Sequence, residues 1–560
     1  MMTSDLKIFC ENSNTYIPFK GGETLLDILP RVSANIEFTP VCALVNNKIE
    51  GLRFPLYGPK KVKFLPIHSA PGRRVYVRSL CMMLYRAVKL INDKYVLRIE
   101  HSISNGYFCT LYIDNKKQPP TEDLLLQLKD LMHELRLADK SFEPHEIPTA
   151  EAIERFKEEN LMAKVKLFET RHDLYAQIYT FDGITDSYYG PLVPSSGYCD
   201  KFDLQLYEDG FLLLGPDPKD YSQVQKPLVQ HKMFGAFTEH LEFNKIIGIR
   251  NIGELNEAIN LGHSSELINV AEALHAKKIA NIASDILDKY NKQGVRIVLV
   301  AGPSSSGKTT TAQRLAIYLL TNLLRPVTIS LDNYFVNRDN TPLDEHGEKD
   351  YEHIDALDLQ LFNKHLKYLL NGETIELPYY NFEKGKREYR GEKIQLGENG
   401  ILLIEGIHGL NPRLTSQIPD NQKYRLYVSA LTTLSIDDHN WIPTTDNRLL
   451  RRIIRDYKYR GTSARETIHR WPSVRRGEEK WIFPFQENAD AMFNSSLLFE
   501  LAVMKEYGET ILKNVPADCL EYAEAYRLRK FLGYFESITE EILPPTSLLR
   551  EFLGGSSLKY

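Results

Sequence analysis

Residues 302–309 read Gly-Pro-Ser-Ser-Ser-Gly-Lys-Thr, the G-x-x-x-x-G-K-[ST] spacing that curls backbone N–H groups around a phosphate. The helix that such a loop opens adds partial positive charge at the same point. Lys308 then reaches the outer phosphates of a nucleotide, and Thr309 offers a hydroxyl to Mg²⁺. Asp332 closes the run Ser330-Leu331-Asp332, where a carboxylate can accept a hydroxyl proton or hold Mg²⁺ through water. The competing reading of Asp332 is a turn-forming acid at a strand end. Glu405 ends the apolar run 401–404 and is suited to a metal's water shell, or to capping the turn at Gly406. Arg448, Arg451, Arg452 and Arg455 share one helical face, with Arg460 beyond. Charges so close repel unless an anion sits among them, and a phosphate in transfer would serve. A solvated basic face offset by Asp446 and Asp456 is the alternative.

These groups need a common edge to act together. The run 295–300 reads as a buried strand leading into the loop, and 309–324 has helical periodicity. Further strands are expected at 327–331, 401–404 and 424–428. Strands alternating with helices imply a parallel sheet covered on both faces, with ligands beyond the carboxyl ends of its strands. The fold class expected is therefore α/β for the C-terminal half. Upstream the rhythm differs. Residues 1–65 alternate short strands with one helix-like run at 24–32. Pro-Leu-Tyr-Gly-Pro at 55–59 and Pro71-Gly72 break the chain before the next unit. From 70 to 225 the pattern is α+β, with a helix at 124–135 and a strand-like 202–214. From 230 to 290 it is mostly helical, most clearly at 271–290.

The chain has 560 residues, enough for three or more domains of roughly 100–200 residues each. A formal net charge of −5 argues against a surface that binds nucleic acid indiscriminately. The six cysteines show no C-x-x-C pair, which fits reduced thiols better than a disulfide framework or a zinc site. The opening residues lack a signal peptide's apolar run, and no stretch nears the ~20 apolar residues of a membrane span. A cytoplasmic location is expected.

Several motifs in order between 295 and 500 resemble the uridine kinase branch of P-loop kinases, which includes phosphoribulokinase and pantothenate kinase. They are the loop itself, Leu-Asp-Asn-Tyr-Phe at 331–335, Tyr-Glu-His-Ile-Asp-Ala-Leu-Asp at 351–358, Leu-Pro-Tyr-Tyr-Asn-Phe at 377–382, Ile-Glu-Gly at 404–406 and Arg-Arg-Ile-Ile-Arg-Asp at 451–456. The resemblance implies that Gly302, Pro303, Ser304, Ser305, Ser306, Gly307, Lys308, Thr309 and Thr310 bind ATP. It implies Asp332 as general base, with Lys308, Arg455 and Arg460 also catalytic. Tyr334, Glu352, Tyr380 and Arg452 would be substrate contacts, and Thr309 and Glu405 would hold Mg²⁺. The chain departs from uridine kinases in the acceptor pocket. Glu352 stands for the family's ribose-binding Asp, Gly385 for its pocket histidine and Thr462 for one lid arginine. The segment 436–441 and the tail 500–560 are foreign to small uridine kinases and similar to a bacterial group of longer, fused nucleoside kinases.

Residues 1–65 resemble a TGS domain, a ubiquitin-like β-grasp module. Residues 66–225 resemble the second N-terminal domain of threonyl-tRNA synthetase, most clearly at 186–197. The four polar groups of that domain's editing site align with Arg78, Met82, Tyr188 and Leu192, so ester hydrolysis there is not expected. The remainder divides into a helical connector, 226–290, and a kinase domain with a C-terminal extension, 291–560. The function implied is ATP-dependent phosphorylation of a nucleoside 5′-hydroxyl. The alternatives are a kinase for another hydroxyl compound, such as a sugar phosphate or pantothenate, and an ATP-binding regulatory protein with an RNA-facing N-terminal half. The expected partner is a small-molecule substrate, with no membrane; homo-oligomers and RNA contacts stay open.

Overall fold

The computed structural model describes residues 6–32, 36–345 and 347–559. The reading of the first five residues as lacking a leader lies outside them.

Five parallel strands form the sheet of the C-terminal half, in the order Arg325–Ser330, Gly400–Glu405, Ile297–Ala301, Lys423–Ser429, Ala491–Asn494. The three inner strands are buried on both faces because both faces are covered, while the edge strand Arg325–Ser330 is partly exposed. Val298, Val300, Leu403 and Leu426 pack with the helices Ser264–Gln293 and Lys308–Thr321. Ile297, Leu299, Leu402 and Ile404 pack on the opposite side with Phe362 and Leu366 of the helix Leu359–Leu370. Register fixes the functional edge. Val300 lies opposite Glu405, and Glu405 lies opposite Ser330. The ends of three strands, and the loops after them, therefore meet at one rim. The fifth strand, 491–494, is not apparent in the sequence.

The first unit is a sheet ordered Thr15–Pro18, Lys7–Cys10, Lys61–Pro66, Pro40–Val45, Lys48–Glu50. Only the pair Lys7–Cys10 with Lys61–Pro66 is parallel. The helix expected at 24–32 is a single α turn, Leu25–Ile28, opened by a Thr24/Asp27 capping box and extended by a 3₁₀ turn.

The next unit is built on the buried helix Ala70–Ile91. Pro71-Gly72, read as a break, instead starts this helix. Proline is tolerated in a first turn, and Gly72 is needed there because a Cβ would sit 2.0 Å from the Pro66 carbonyl oxygen. The run 202–214 is not one strand but a hairpin, Asp203–Tyr207 and Gly210–Leu214, turned at Glu208 (φ +50°). Residues 226–290 contain three helices, His231–Ile246, Ile252–Asn260 and nearly all of Ser264–Gln293.

The segment 436–441 explains its own oddity. It plugs the C-terminal half into the unit before it. Lys164 is 1% exposed and pairs with Asp186 at 2.9 Å and Asp437 at 2.8 Å. His439 Nδ1 lies 2.7 Å from the second Asp186 oxygen, and the Asn440 amide donates to the Ser187 carbonyl at 3.0 Å. Burial opposes the charge on Asp186, yet Lys164 and His439 hold its carboxyl well below the usual range. Replacing Lys164 with Met strands two buried carboxylates. The expected cost is about 3–5 kcal/mol, read as a lowered midpoint in thermal or urea unfolding; an unchanged midpoint would show that the network carries no stability.

Candidate active site

The strand Ile297–Ala301 is buried throughout and delivers the chain to Gly302. A Cβ at Gly302 would lie 2.0 Å from the Val428 carbonyl oxygen, so only glycine fits against the neighbouring strand. Ser305 (φ +57°) and Gly307 (φ +80°) take left-handed conformations that turn the loop into a concave arc. The helix Lys308–Thr321 then starts at its rim. Lys308 Nζ donates to the Pro303 carbonyl at 3.0 Å, spanning the loop.

Two carboxylates face this arc. Glu405 accepts from the hydroxyls of Thr309 at 3.4 Å and Ser330 at 3.3 Å. Asp332 lies in the 3₁₀ turn Leu331–Tyr334, two residues past its strand, with its N–H donating to Ser330 Oγ. Burial pushes Glu405 up to about 7, with Lys308 opposing and Asp332 adding to the rise. Burial also raises Asp332, against the pull of Lys308, Arg460 and Arg455. Burial lowers Lys308 while Glu405 and Asp332 counter it. Those shifts have one origin: Lys308, Asp332 and Glu405 sit together in a half-buried cleft, with Arg455 and the more exposed Arg460 in electrostatic reach of Asp332.

The arginine face lies on the helix Thr444–Arg460, but it divides into two sets. Arg448 and Arg451 do not gather around a phosphate in transfer, as their shared face suggested. They are 1% and 0% exposed and serve as anchors behind the loop. Arg448 Nε donates to the Ser304 carbonyl at 3.0 Å and its Nη2 pairs with Glu478, whose Oε1 accepts from the Ser304 N–H at 2.9 Å. Arg451 pairs with Glu500 and donates to the Ser495 carbonyl at 2.9 Å, while Ser495 Oγ donates to the Ser306 carbonyl. The anions that relieve this cluster are thus the protein's own carboxylates. Arg452, Arg455 and Arg460 form the second set, gathered around Asp456 at 3.3, 2.7 and 3.7 Å. Arg452 also donates to Ser304 Oγ at 2.8 Å.

Of the expected acceptor-pocket residues, Glu352 is within electrostatic reach of Arg452, and burial pushes its carboxyl up to about 7. Tyr380 packs beside Phe335 and Phe382. Tyr334 is turned into the core, fully buried against Phe362, with its hydroxyl 3.0 Å from His365 Nδ1. That hydroxyl does not face the cleft. At Gly385 (φ +65°) the space of a side chain is filled by Arg338, whose Nε would lie 2.7 Å from a Cβ there.

Sequence reasoning missed Glu478, Glu500 and Ser495, whose spacing from the arginines follows no local period. It also missed the tail. Leu548 and Phe552 are fully buried in the core under the phosphate-binding loop. Glu551 Oε2 accepts from both the N–H and the hydroxyl of Thr310, at 3.3 and 2.6 Å. Thr310, expected to bind nucleotide, is therefore engaged by the tail's carboxylate.

A family model described as Phosphoribulokinase / Uridine kinase family matches residues 297–497. The chain is similar to a uridine kinase of Halobacterium salinarum, at 28% identity over 194 residues, 34% of this chain and 76% of that protein. It is similar to a uridine kinase of Ligilactobacillus salivarius, at 31% identity over 195 residues, 35% of this chain and 82% of that protein. The solved structure of a possible uridine kinase from Bacillus stearothermophilus aligns at 18% identity and a TM-score of 0.24, covering 36% of this chain and 89% of that one.

The raised Glu352 carboxyl has a measurable consequence. Its folded pKa of about 7 lies above the ordinary 4.5, so folding favours the protonated form. That contribution is complete below about pH 4.5 and is lost as pH rises through about 7. Glu352→Gln keeps the neutral form at every pH. It is expected to match the parent near pH 4.5 and to exceed it by about 2 kcal/mol at pH 8, allowing for partial exposure. Denaturant midpoints at the two pH values check this, and parallel curves would contradict it.

Proposed function

The chain belongs to the Phosphoribulokinase / Uridine kinase family, whose members are phosphotransferases acting on hydroxyl groups, and from that premise we propose that it phosphorylates the 5′-hydroxyl of a uridine- or cytidine-like nucleoside with ATP. The observation that carries the proposal is the shared cleft of Lys308, Asp332, Glu405, Arg455 and Arg460 at the rim of the parallel sheet.

In this reading the arc 302–309 holds the triphosphate through backbone N–H groups, and Lys308 leaves the Pro303 carbonyl to reach the outer phosphates. Asp332 accepts the proton of the attacking hydroxyl. Its burial makes it a stronger base than a solvated aspartate, with Lys308, Arg460 and Arg455 opposing that rise. Arg455 and Arg460 meet the charge that develops on the transferring group. The Thr309 hydroxyl and Glu405 carboxylate suit Mg²⁺, a hard cation that takes few protein oxygens and keeps its waters and the phosphates. Bound there, the ion would supply charge neutralisation between the phosphates. Glu352, Tyr380 and Arg452 are the proposed contacts to the acceptor.

One observation favours a second reading. Arg338 fills the place at Gly385 where uridine kinases carry a histidine, and it lies within electrostatic reach of Tyr380. A cation beside the acceptor suits an anionic substrate such as a sugar phosphate or pantothenate. For the N-terminal half, the sheet of residues 6–66, with its one parallel central pair, supports the β-grasp, TGS-like reading. The α+β unit through 225 is proposed to be synthetase-like. Among the described residues no helix is long and apolar enough to cross a membrane.

ADP release should be followed with purified full-length protein, Mg·ATP, and a panel of nucleosides, sugar phosphates and pantothenate. Turnover with uridine or cytidine is expected. Turnover confined to the anionic acceptors would favour the second reading, and silence throughout would defeat both. Asp332→Asn should lower kcat about a hundredfold or more while leaving nucleotide affinity near normal; near-normal turnover would remove Asp332 from the role of base.

A further inference from the structure

A cavity of about 650 Å³ lies between the N-terminal units and the helix Tyr522–Leu532, a volume that suits one small molecule. The kinase reading gives it no role. Its walls include the segment 187–193, which stood out in the sequence. Six Lys or Arg residues line it (53, 74, 78, 171, 527 and 530), against three Asp or Glu (50, 146 and 173).

Four of the six cations are answered by carboxylates. Arg53 meets Glu143 at 3.4 Å, Arg74 meets Glu524 at 2.9 Å, Arg171 meets Asp173, and Arg527 grips Asp446 at 2.6 and 2.9 Å. Arg78 and Lys530 are different. Arg78 is 6% exposed. It donates to the Pro191 carbonyl at 3.1 Å and lies 5.2 Å from the centre of the Tyr189 ring. Among the described residues neither Arg78 nor Lys530 has a carboxylate within ion-pair distance. Glu50, the acid that acts most on Lys530, is pushed toward its neutral form by burial.

The placement of Arg78 is specific. A Cβ on Gly190 would lie 2.0 Å from its Nη1, so the glycine clears the guanidinium's path to the cavity wall. A buried charge without a counter-charge is costly, and a guanidinium cannot shed its proton to escape that cost. An anion entering the cavity removes it. The planar fork of Arg suits phosphate, and Tyr179, Tyr189 and Tyr534 add flat apolar surface on the same walls.

We propose that this cavity is a second ligand site, which binds a small phosphorylated molecule carrying a planar ring, of the nucleoside monophosphate class, through Arg78 and Lys530. The site stands independently of which acceptor the kinase half uses. It is one side chain from the arginine helix, because Arg527 lines the cavity and holds Asp446 in that helix's first turn. A single small molecule fits a cavity of this volume better than a polynucleotide, and the chain's net charge is negative.

Equilibrium dialysis of the full-length protein with 5′-UMP, 5′-AMP and inorganic phosphate tests the site, using Arg78→Gln and Lys530→Gln beside the parent. Binding of at least one nucleotide is expected, tenfold or more weakened in both variants, with inorganic phosphate bound more weakly than the nucleotide. Mg·ATP uptake should be the same in all three proteins. Equal nucleotide binding by parent and variants would overturn the proposal. So would uptake confined to an RNA hairpin with a single-stranded 3′ end. Lys530 is exposed to solvent, so its variant carries the test even if Arg78→Gln fails to fold.

Discussion

The phosphate-binding loop keeps its shape because two buried arginines grip it from behind. Arg448 and Arg451 take the carbonyls of the loop and of Ser495, and Glu478 and Glu500 neutralise them. Burying such pairs yields little net stability, since desolvation offsets most of the attraction. What they supply is geometry. A loop whose carbonyls are fixed on the outside presents its N–H groups inward without further rearrangement, and preorganised dipoles of this kind favour charge transfer. Glu478 illustrates the balance. Burial opposes its charge, yet Arg448 and Arg475 hold its carboxyl below the ordinary range.

The same logic recurs where the two halves meet. Lys164 pairs with both Asp186 from one half and Asp437 from the other, and Asp186 also takes His439. Around this polar knot, His439 packs on Tyr85 and Trp441 on Tyr107, with ring centres 4.4 and 4.5 Å apart. Such a junction tolerates little sliding, because any offset exposes a buried charge. The helix bearing the arginines is bonded through Asp446 to Arg527 of the helix Tyr522–Leu532, whose Glu524 pairs in turn with Arg74 of the N-terminal units.

The chain alone revealed the features that depend on neighbours in sequence. The loop 302–309, the strand leading into it, and the acids at the ends of the next two strands form short local patterns, and the structure assembles them at one rim. Arg448 and Arg451 could not be read correctly, since their partners lie 30 and 49 residues away and answer no helical or strand period. The resemblance implied that Tyr334 is a substrate contact, but the 3₁₀ turn that carries it swings its hydroxyl toward His365. The helix Ala70–Ile91 was hidden by Pro71-Gly72, whose usual meaning is reversed by a single close approach to the Pro66 carbonyl. The cavity behind Arg78 has walls drawn from segments more than 300 residues apart, and no local pattern announces it.

The tail's place in the core bears on how the protein matures. The first sheet needs nothing beyond its strand Lys61–Pro66 to close, so it can form while most of the chain is still being synthesised. The core beneath the phosphate-binding loop is incomplete until Leu548 and Phe552 arrive. The kinase half therefore waits until residues 548–552 have left the ribosome. During that interval its apolar strands are uncovered, which is when nascent-chain chaperones would have most to do.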